Sequence, residues 1–181
     1  MAQRAYFQQI LKNYEDFAYL ETFTPDLAQN VVLEPYEVQL KISEDAFNQG
    51  FASRDWYKGA VSNKATFVSE AYVSASIGKP VIAISTPIFD NENNIAGIYI
   101  GALTLDKLSS ITNELTFGET GEAYIVDKNG NMVAHPNDEY FKDTTLKNIS
   151  DNEIVASVLE NLDDGKVKMY YDNLTNKNVY L

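Results

Sequence analysis

Apolar positions at the start of the chain, Ala2, Ala5, Tyr6, Ile10 and Leu11, fall close to helical spacing with no turn residue between them. A short amphipathic helix is expected over residues 2–11. From Phe17 to Phe23 the pattern becomes strand-like. Pro25-Asp26 breaks the run and Val31-Val32-Leu33 resumes it, which predicts two strands joined by a turn. A polar loop then reaches Ser53, placed as an N-cap for a helix over residues 54–61 with Asp55 in its first turn. Three β-rich segments follow, at 66–76, 79–89 and 95–104. The turns between them, Ile77-Gly78-Lys79 and Asp90 to Asn94, are short enough for hairpins, so an antiparallel meander is expected. Helical spacing returns through Leu105, Leu108, Ile111, Thr112 and Leu115 and stops at Phe117-Gly118.

A second, smaller unit is expected from Gly121. Strands at 122–126 and 132–135 flank Asp127-Lys128-Asn129-Gly130-Asn131, a strong hairpin signal. Asp151 is placed to cap a helix through Ile154, Val155, Val158, Leu159 and Leu162, followed by strands at 166–171 and 177–181. A last strand without a neighbour would leave an open edge, so truncation or completion by another copy is expected. The fold class is α+β: an antiparallel sheet flanked by helices and preceded by an N-terminal helix.

Composition narrows the functions available. With 181 residues and 45% apolar content the chain can build a real core. Its net charge of −12 repels a polyphosphate backbone, so nucleic acid is not an expected partner. The chain has no cysteine, which removes disulfides, thiolate metal sites and a Cys nucleophile. No apolar run reaches the 18 or so residues of a membrane span, and Met1-Ala2-Gln3-Arg4 carries no signal-peptide pattern, so the chain is expected to be soluble by itself. His135 is the lone histidine and reads as structural. Asp127 to Asn131 lacks the downstream glutamate of a calcium loop. Asp163-Asp164 and Glu119/Glu122 read as solvated acidic surface, and the two glycosylation sequons at Asn148 and Asn173 as chance matches. No catalytic residue, cofactor or metal is expected.

Arg54-x-Trp56-Tyr57 is followed by Tyr72, then Gly78-Lys79-Pro80-Val81-Ile82, Gly97-x-x-x-Gly101 and Leu105-Asp106-x-Leu108. This order resembles the double Cache sensor domains of prokaryotic chemoreceptors, histidine kinases and cyclases, which are built of PAS-like modules. The resemblance implies a remnant of a signalling helix at 1–13, a membrane-distal ligand-binding module at 14–117, and a membrane-proximal module at 118–181. The last opens on Gly121-Glu122-Ala123-Tyr124-Ile125-Val126-Asp127 and is expected to be truncated. It further implies a non-enzymatic extracytoplasmic domain of a cell-membrane receptor that binds a small molecule, is joined to the membrane by flanking segments, and is able to form a homodimer along the helix.

Arg54 is one of two arginines and stands beside the only tryptophan. Its planar fork suits a carboxylate, at about 1.5–3 kcal/mol per charge-assisted hydrogen bond. By composition alone it reads rather as a surface arginine whose stem covers a core Trp and Tyr, and the resemblance reverses that order. By resemblance, Arg54, Trp56, Tyr57 and Tyr72 hold the ligand. Ser74 and Ser76, two and four residues beyond Tyr72, are expected on its strand face, either lining the pocket or facing solvent. The amino-acid-binding members carry acids where this chain has Ser74 and Gly101 or Ala102, and a Tyr where it has Gln49. A buried ammonium without a carboxylate partner costs several kcal/mol, so a carboxylate-bearing ligand without a free α-amine is expected, with spare volume beside Ala102. Glu70 or Asp55 reaching in from another direction would reverse that expectation. Two rival readings stand beside it: a protein-contact module whose pocket is filled by Phe51, Phe67 or Tyr99, and a hydrolase using paired carboxylates, which no spacing supports.

Overall fold

The computed structural model describes residues 2–40, 42, 44–48, 50–113, 116–117, 121–141, 144–160 and 169–180. Helix α1 (Ala2–Asn13) leads into a hairpin of β1 (Phe17–Phe23) and β2 (Asn30–Glu34). Two short helices, α2 (Tyr36–Gln39) and α3 (Glu44–Asn48), precede α4 (Asp55–Asn63). Strands β3 (Phe67–Val68), β4 (Tyr72–Val73), β5 (Pro80–Phe89) and β6 (Ile95–Thr104) follow, then α5 (Leu105–Asn113). The remainder is made of small pieces: β7 (Thr116–Phe117), β8 (Gly121–Glu122), β9 (Ile125–Val126), β10 (Met132–Ala134), a 3-10 turn at Asp138–Phe141, α6 (Glu153–Leu159), β11 (Met169–Asp172) and β12 (Lys177–Tyr180). The main sheet runs β2-β1-β6-β5-β3, with β4 also on β5, and every pairing is antiparallel. The expected α+β class, with helices flanking an antiparallel sheet behind an N-terminal helix, is the one observed.

Several local expectations change. The polar loop before Ser53 contains α2 and α3. Ser53 does not cap α4: Arg54 is the N-cap residue, and Asp55 Oδ1 accepts the Trp56 N–H at 2.7 Å. Asn152, not Asp151, caps α6, its Oδ1 accepting from the Ile154 N–H at 3.0 Å. The long strand expected over 66–76 is two short ones, because Ser69 interrupts the ladder. Its Oγ accepts the Ala83 N–H at 2.9 Å and donates to the Glu70 carbonyl at 2.7 Å. Leu115, Gly118, Glu119, Leu162, Asp163-Asp164, Leu181 and residues 166–168 lie outside the described residues.

Register fixes what each face of the sheet carries. Tyr19 lies opposite Ala102, Glu21 opposite Ile100 and Phe23 opposite Ile98, while β5 brings Ala83 opposite Ala102 and Ser85 opposite Ile100. These side chains share the face covered by α4, where Phe23, Ala28, Trp56, Tyr57, Ala60, Ala83, Ile98 and Ile100 form a buried cluster. Ser85 Oγ donates to the Trp56 carbonyl at 2.7 Å and pins the first turn of α4 to β5. The alternate residues face α1. Gln3 Nε2 donates to Thr22 Oγ1 at 2.9 Å, and the Phe7 and Tyr99 rings lie 5.3 Å apart. Gly101 belongs to this face, since a Cβ there would come within 2.6 Å of the Phe17 ring.

The second group of elements meets the main sheet through the Ala71, Leu105 and Val133 cluster. Asp127 ties its own hairpin by accepting the Asn129 and Asn131 N–H groups, each at 2.9 Å, and its other oxygen accepts the Ala71 N–H at 3.3 Å. Gly130 takes the left-handed conformation that turn requires, at φ +77.

Arg4 adds a charged contact to those that hold α1. Its Nη1 lies 2.7 Å from Glu34 Oε1 and 3.0 Å from the Leu33 carbonyl, its other nitrogen donates to Gln39 Oε1, and it stacks over the Tyr36 ring. Glu34 is buried, so removing Arg4 strands a carboxylate. Arg4→Ala is expected to lower unfolding free energy in urea by about 3 kcal/mol, and adding Glu34→Gln is expected to recover at least half of that loss.

Candidate functional site

Beneath α4, the sheet face carries a cavity of about 20 Å³, lined by Tyr19, Glu21, Phe23, Phe51, Arg54, Trp56, Tyr72, Ser74, Ala75, Ser76 and Ile100. Each wall has a local cause. Tyr19, Glu21 and Phe23 are alternate residues of β1, and Ile100 is the β6 partner of Glu21. Arg54 and Trp56 come from the start of α4, and Tyr72 from β4. Ser74, Ala75 and Ser76 lie beyond the end of β4, in a turn closed by the Ser74 N–H on the Lys79 carbonyl and the Gly78 N–H on the Ser74 carbonyl. The serines therefore reach the cavity from a turn and not from the strand face that their spacing suggested.

Five sequence-selected residues, Arg54, Trp56, Tyr72, Ser74 and Ser76, come together in this cavity, and two do not. Tyr57 points away, its hydroxyl donating to the Pro25 carbonyl. Ala102 is fully buried between Tyr19 and Val81. The volume expected beside it is filled by the Tyr19 ring, which sits opposite it in register. Tyr19 extends from Ala102 to Ser74, where the two hydroxyls are 2.7 Å apart. One tyrosine from β1 thus spans both positions at which an acid was sought. Gln49 lies outside the described residues.

The acid is elsewhere. Glu21 is 3% exposed, lines the cavity and accepts a hydrogen bond from Ser76 Oγ at 2.5 Å. Burial raises its carboxyl to about 7, with the Ser76 bond pulling the other way. Among the described residues no cation pairs with it. Glu70 and Asp55 do not take this role. Glu70 pairs with Lys128 at 2.9 Å, while Asp55 uses one oxygen on the Trp56 N–H and the other on the Glu70 N–H at 2.9 Å. Glu21 is absent from the residues selected by sequence because it lies on β1, ahead of the stretch from Arg54 onward that carries the resemblance. The available signal was an acid of the same parity as Tyr19 and Phe23 inside an otherwise apolar strand.

Arg54 is the one cation among the lining residues, and its guanidinium carbon stands 5.7 Å from the Tyr72 ring centre. Tyr72 and Tyr19 are both held neutral by burial, so they serve as hydroxyl donors and acceptors. Phe51 is the one aromatic lining residue that belongs to neither a strand nor a helix. It belongs to the segment between α3 and α4, is tied by its N–H to the Ala28 carbonyl at 3.1 Å, and packs edge-on against Phe23. Phe67 and Tyr99 lie elsewhere, Phe67 against Gly59 and Tyr99 against Phe7.

His135 is buried between the Tyr124 and Tyr140 rings, and its Nδ1 accepts the Asn137 N–H at 2.9 Å. Burial depresses its basicity. Among the described residues no group of His, Cys, Asp and Glu is arranged to hold a metal, and no helix is long and apolar enough to cross a membrane.

A family profile described as the Cache domain, dCache_1, matches residues 3–181. The methyl-accepting chemotaxis protein PscA of Pseudomonas syringae pv. tomato is 34% identical over 119 residues, which is 63% of this chain and 18% of that protein. The chain thus spans under a fifth of that relative's length. Among solved structures, the ligand-binding domain of the Pseudomonas aeruginosa PAO1 amino acid chemoreceptor PctB in complex with L-Arg aligns with a TM-score of 0.69 at 22% identity. The alignment covers 99% of this chain and 68% of that one. The ligand-binding domain of the Campylobacter jejuni chemoreceptor Tlp3 with 4-methylisoleucine aligns at 0.67 and 15% identity, over 98% and 64%. At these identities the two structures establish a shared fold.

Because folding raises the Glu21 carboxyl from 4.5 to about 7, its neutral form is favoured in the folded state. The associated stability is present in full below pH 4.5 and is lost as pH rises through about 7, a difference of about 3 kcal/mol. Glu21→Gln is expected to match wild type near pH 4 and to be more stable by up to about 3 kcal/mol at pH 8, read from urea denaturation at both pH values.

Proposed function

The chain belongs to the Cache domain family, a family of sensor modules and not of enzymes, and on that premise we propose that it is the extracytoplasmic ligand-sensing part of a transmembrane receptor. Its ligand is a small organic molecule whose carboxylate is held by Arg54. The single observation that carries this reading is that Arg54 stands without a carboxylate partner among the described residues, at a cavity otherwise walled by aromatic rings and hydroxyls. Trp56 and Phe51 supply apolar walls, and Tyr72, Ser74 and Ser76 supply hydroxyls. In this reading residues 14–117 form the membrane-distal sensing module, 118–181 the membrane-proximal one, and 1–13 the end of the helix that links them to the membrane. A second copy packs along that helix.

The expectation of a ligand without a free amine loses its premise, because Glu21 lies in the same cavity as Arg54. L-Arg and 4-methylisoleucine in the PctB and Tlp3 complexes each combine a carboxylate with an amine, and an amino-acid-like ligand fits the pair of charges here. At its present volume the cavity admits such a ligand only when a wall moves, and Phe51 is the aromatic wall that lies outside any strand or helix. Movement of the segment bearing Phe51, Arg54 and the start of α4 against the sheet is then the event that ligand binding favours. The ligand biases output by its difference in affinity for the two arrangements.

A thermal-shift screen of small carboxylates, amino acids, amines and neutral metabolites tests this reading. At a hundredfold excess over its Kd, a ligand of the folded state stabilises by about 2.7 kcal/mol, on the order of 5–10 °C in Tm for a chain of this size. The expected hit bears a carboxylate and loses its effect in Arg54→Ala. A hit that acts equally on Arg54→Ala contradicts the assignment, and no hit from any class favours a module that signals by protein contact.

A further inference from the structure

We propose that Glu21 is the specificity-determining residue of this cavity: it receives a protonated amine of the ligand whose carboxylate is held by Arg54. The proposal deepens the reading of the site given above and rests on it. Its geometric basis is that a buried carboxylate and a single guanidinium line one small cavity without pairing to each other, each leaving its charge for a guest to meet.

The surroundings of Glu21 leave it no other cationic partner among the described residues. On its own strand the neighbouring cavity residues are Tyr19 and Phe23, and across the ladders lie Leu33 on β2 and Ile100 on β6. From β4 and the following turn come Tyr72 and Ser76, and from the start of α4 comes Arg54, whose neighbour Asp55 is outside the lining and has both oxygens occupied by backbone N–H groups. Both tyrosines are neutral at any physiological pH. Among the described residues the hydrogen bond to the Glu21 carboxylate comes from Ser76 Oγ, on Oε1, which leaves Oε2 for a donor from the ligand.

Binding then exchanges charge for charge. In the ligand-free chain burial pushes the Glu21 carboxyl up to about 7. An incoming ammonium meets the carboxylate, and the carboxyl proton leaves to solvent, so no net charge is buried. Affinity for an amine-bearing ligand therefore rises about tenfold per pH unit below pH 6 and levels off near pH 8. A ligand with a carboxylate and no amine gains nothing from that ionisation and binds more weakly as pH rises.

The test uses amino acids paired with the acids that lack their amine: L-alanine with propionate, L-valine with 3-methylbutanoate, L-asparagine with succinamate. Thermal shifts are read at pH 6 and pH 8 on wild type, Glu21→Gln and Arg54→Ala, and Kd is measured for any hit across pH 5 to 8.5. The expected result is that at least one amino acid stabilises wild type while its partner acid does not, with a Kd falling at least tenfold from pH 5.5 to 8. In Glu21→Gln that amino acid loses at least tenfold in affinity together with the pH dependence, although the variant stays folded. Stabilisation by amine-free acids that Glu21→Gln leaves intact and Arg54→Ala abolishes overturns the proposal and leaves the Arg54 reading standing. Stabilisation by neither member of any pair overturns both for these ligand classes.

Discussion

The alternation of side chains along β1 is the constraint from which the rest of the site follows. Antiparallel pairing with β6 and β2 sends Tyr19, Glu21 and Phe23 to the face under α4 and Leu20 and Thr22 to the face under α1. A slip of one residue would put Thr22 in the cavity and Glu21 against the N-terminal helix. The register is secured on both faces. Tyr19 packs on Ala102 and reaches Ser74, and Leu20 fills space beside Gly101 that a larger residue would take. With both faces covered, five successive residues of this strand are buried, and the acid in the middle of it borders the cavity.

The same strand joins the sensing face to the helix. Glu21 lies in the cavity wall while its neighbour Thr22 accepts a hydrogen bond from Gln3 on α1, and Arg4 ties α1 to the end of β2 through Glu34. A change of charge at Glu21 is therefore one residue from an α1 contact. On the other side of the cavity, Asp55 links the first turn of α4 to Glu70, and Glu70 and Ala71 meet Lys128 and Asp127 of the β9–β10 hairpin. The cavity thus sits between two polar connections, one to the N-terminal helix and one to the second group of elements.

Much of the scaffold was legible in the sequence because its signals are local. Periodicity located α1, β1, β5, β6 and α5 to within a few residues, and Asn129-Gly130 marked the hairpin whose tie is Asp127. Ser69 shows where local signals fail. A serine that replaces a backbone ladder partner with its own hydroxyl leaves no trace in apolar alternation, so two short strands looked like one. The cavity was legible in part: Arg54, Trp56, Tyr72, Ser74 and Ser76 do meet, the two serines by way of a turn. Tyr57 was misplaced because helical neighbours of a cavity residue point in different directions, about 100° apart. Glu21 and Tyr19 were missed because a contact between β1 and residues more than fifty positions later is set by register, which composition and spacing do not carry.

Ligand recognition in this cavity depends on the charge pair of Arg54 and Glu21. The most direct measurement is a crystal structure of the chain with the most strongly stabilising amino acid bound. It is predicted to show the ligand carboxylate on the Arg54 guanidinium, its ammonium within hydrogen-bond distance of Glu21, and the segment bearing Phe51 displaced from the cavity. A ligand bound away from this cavity, or in it with its amine directed away from Glu21, would contradict the account.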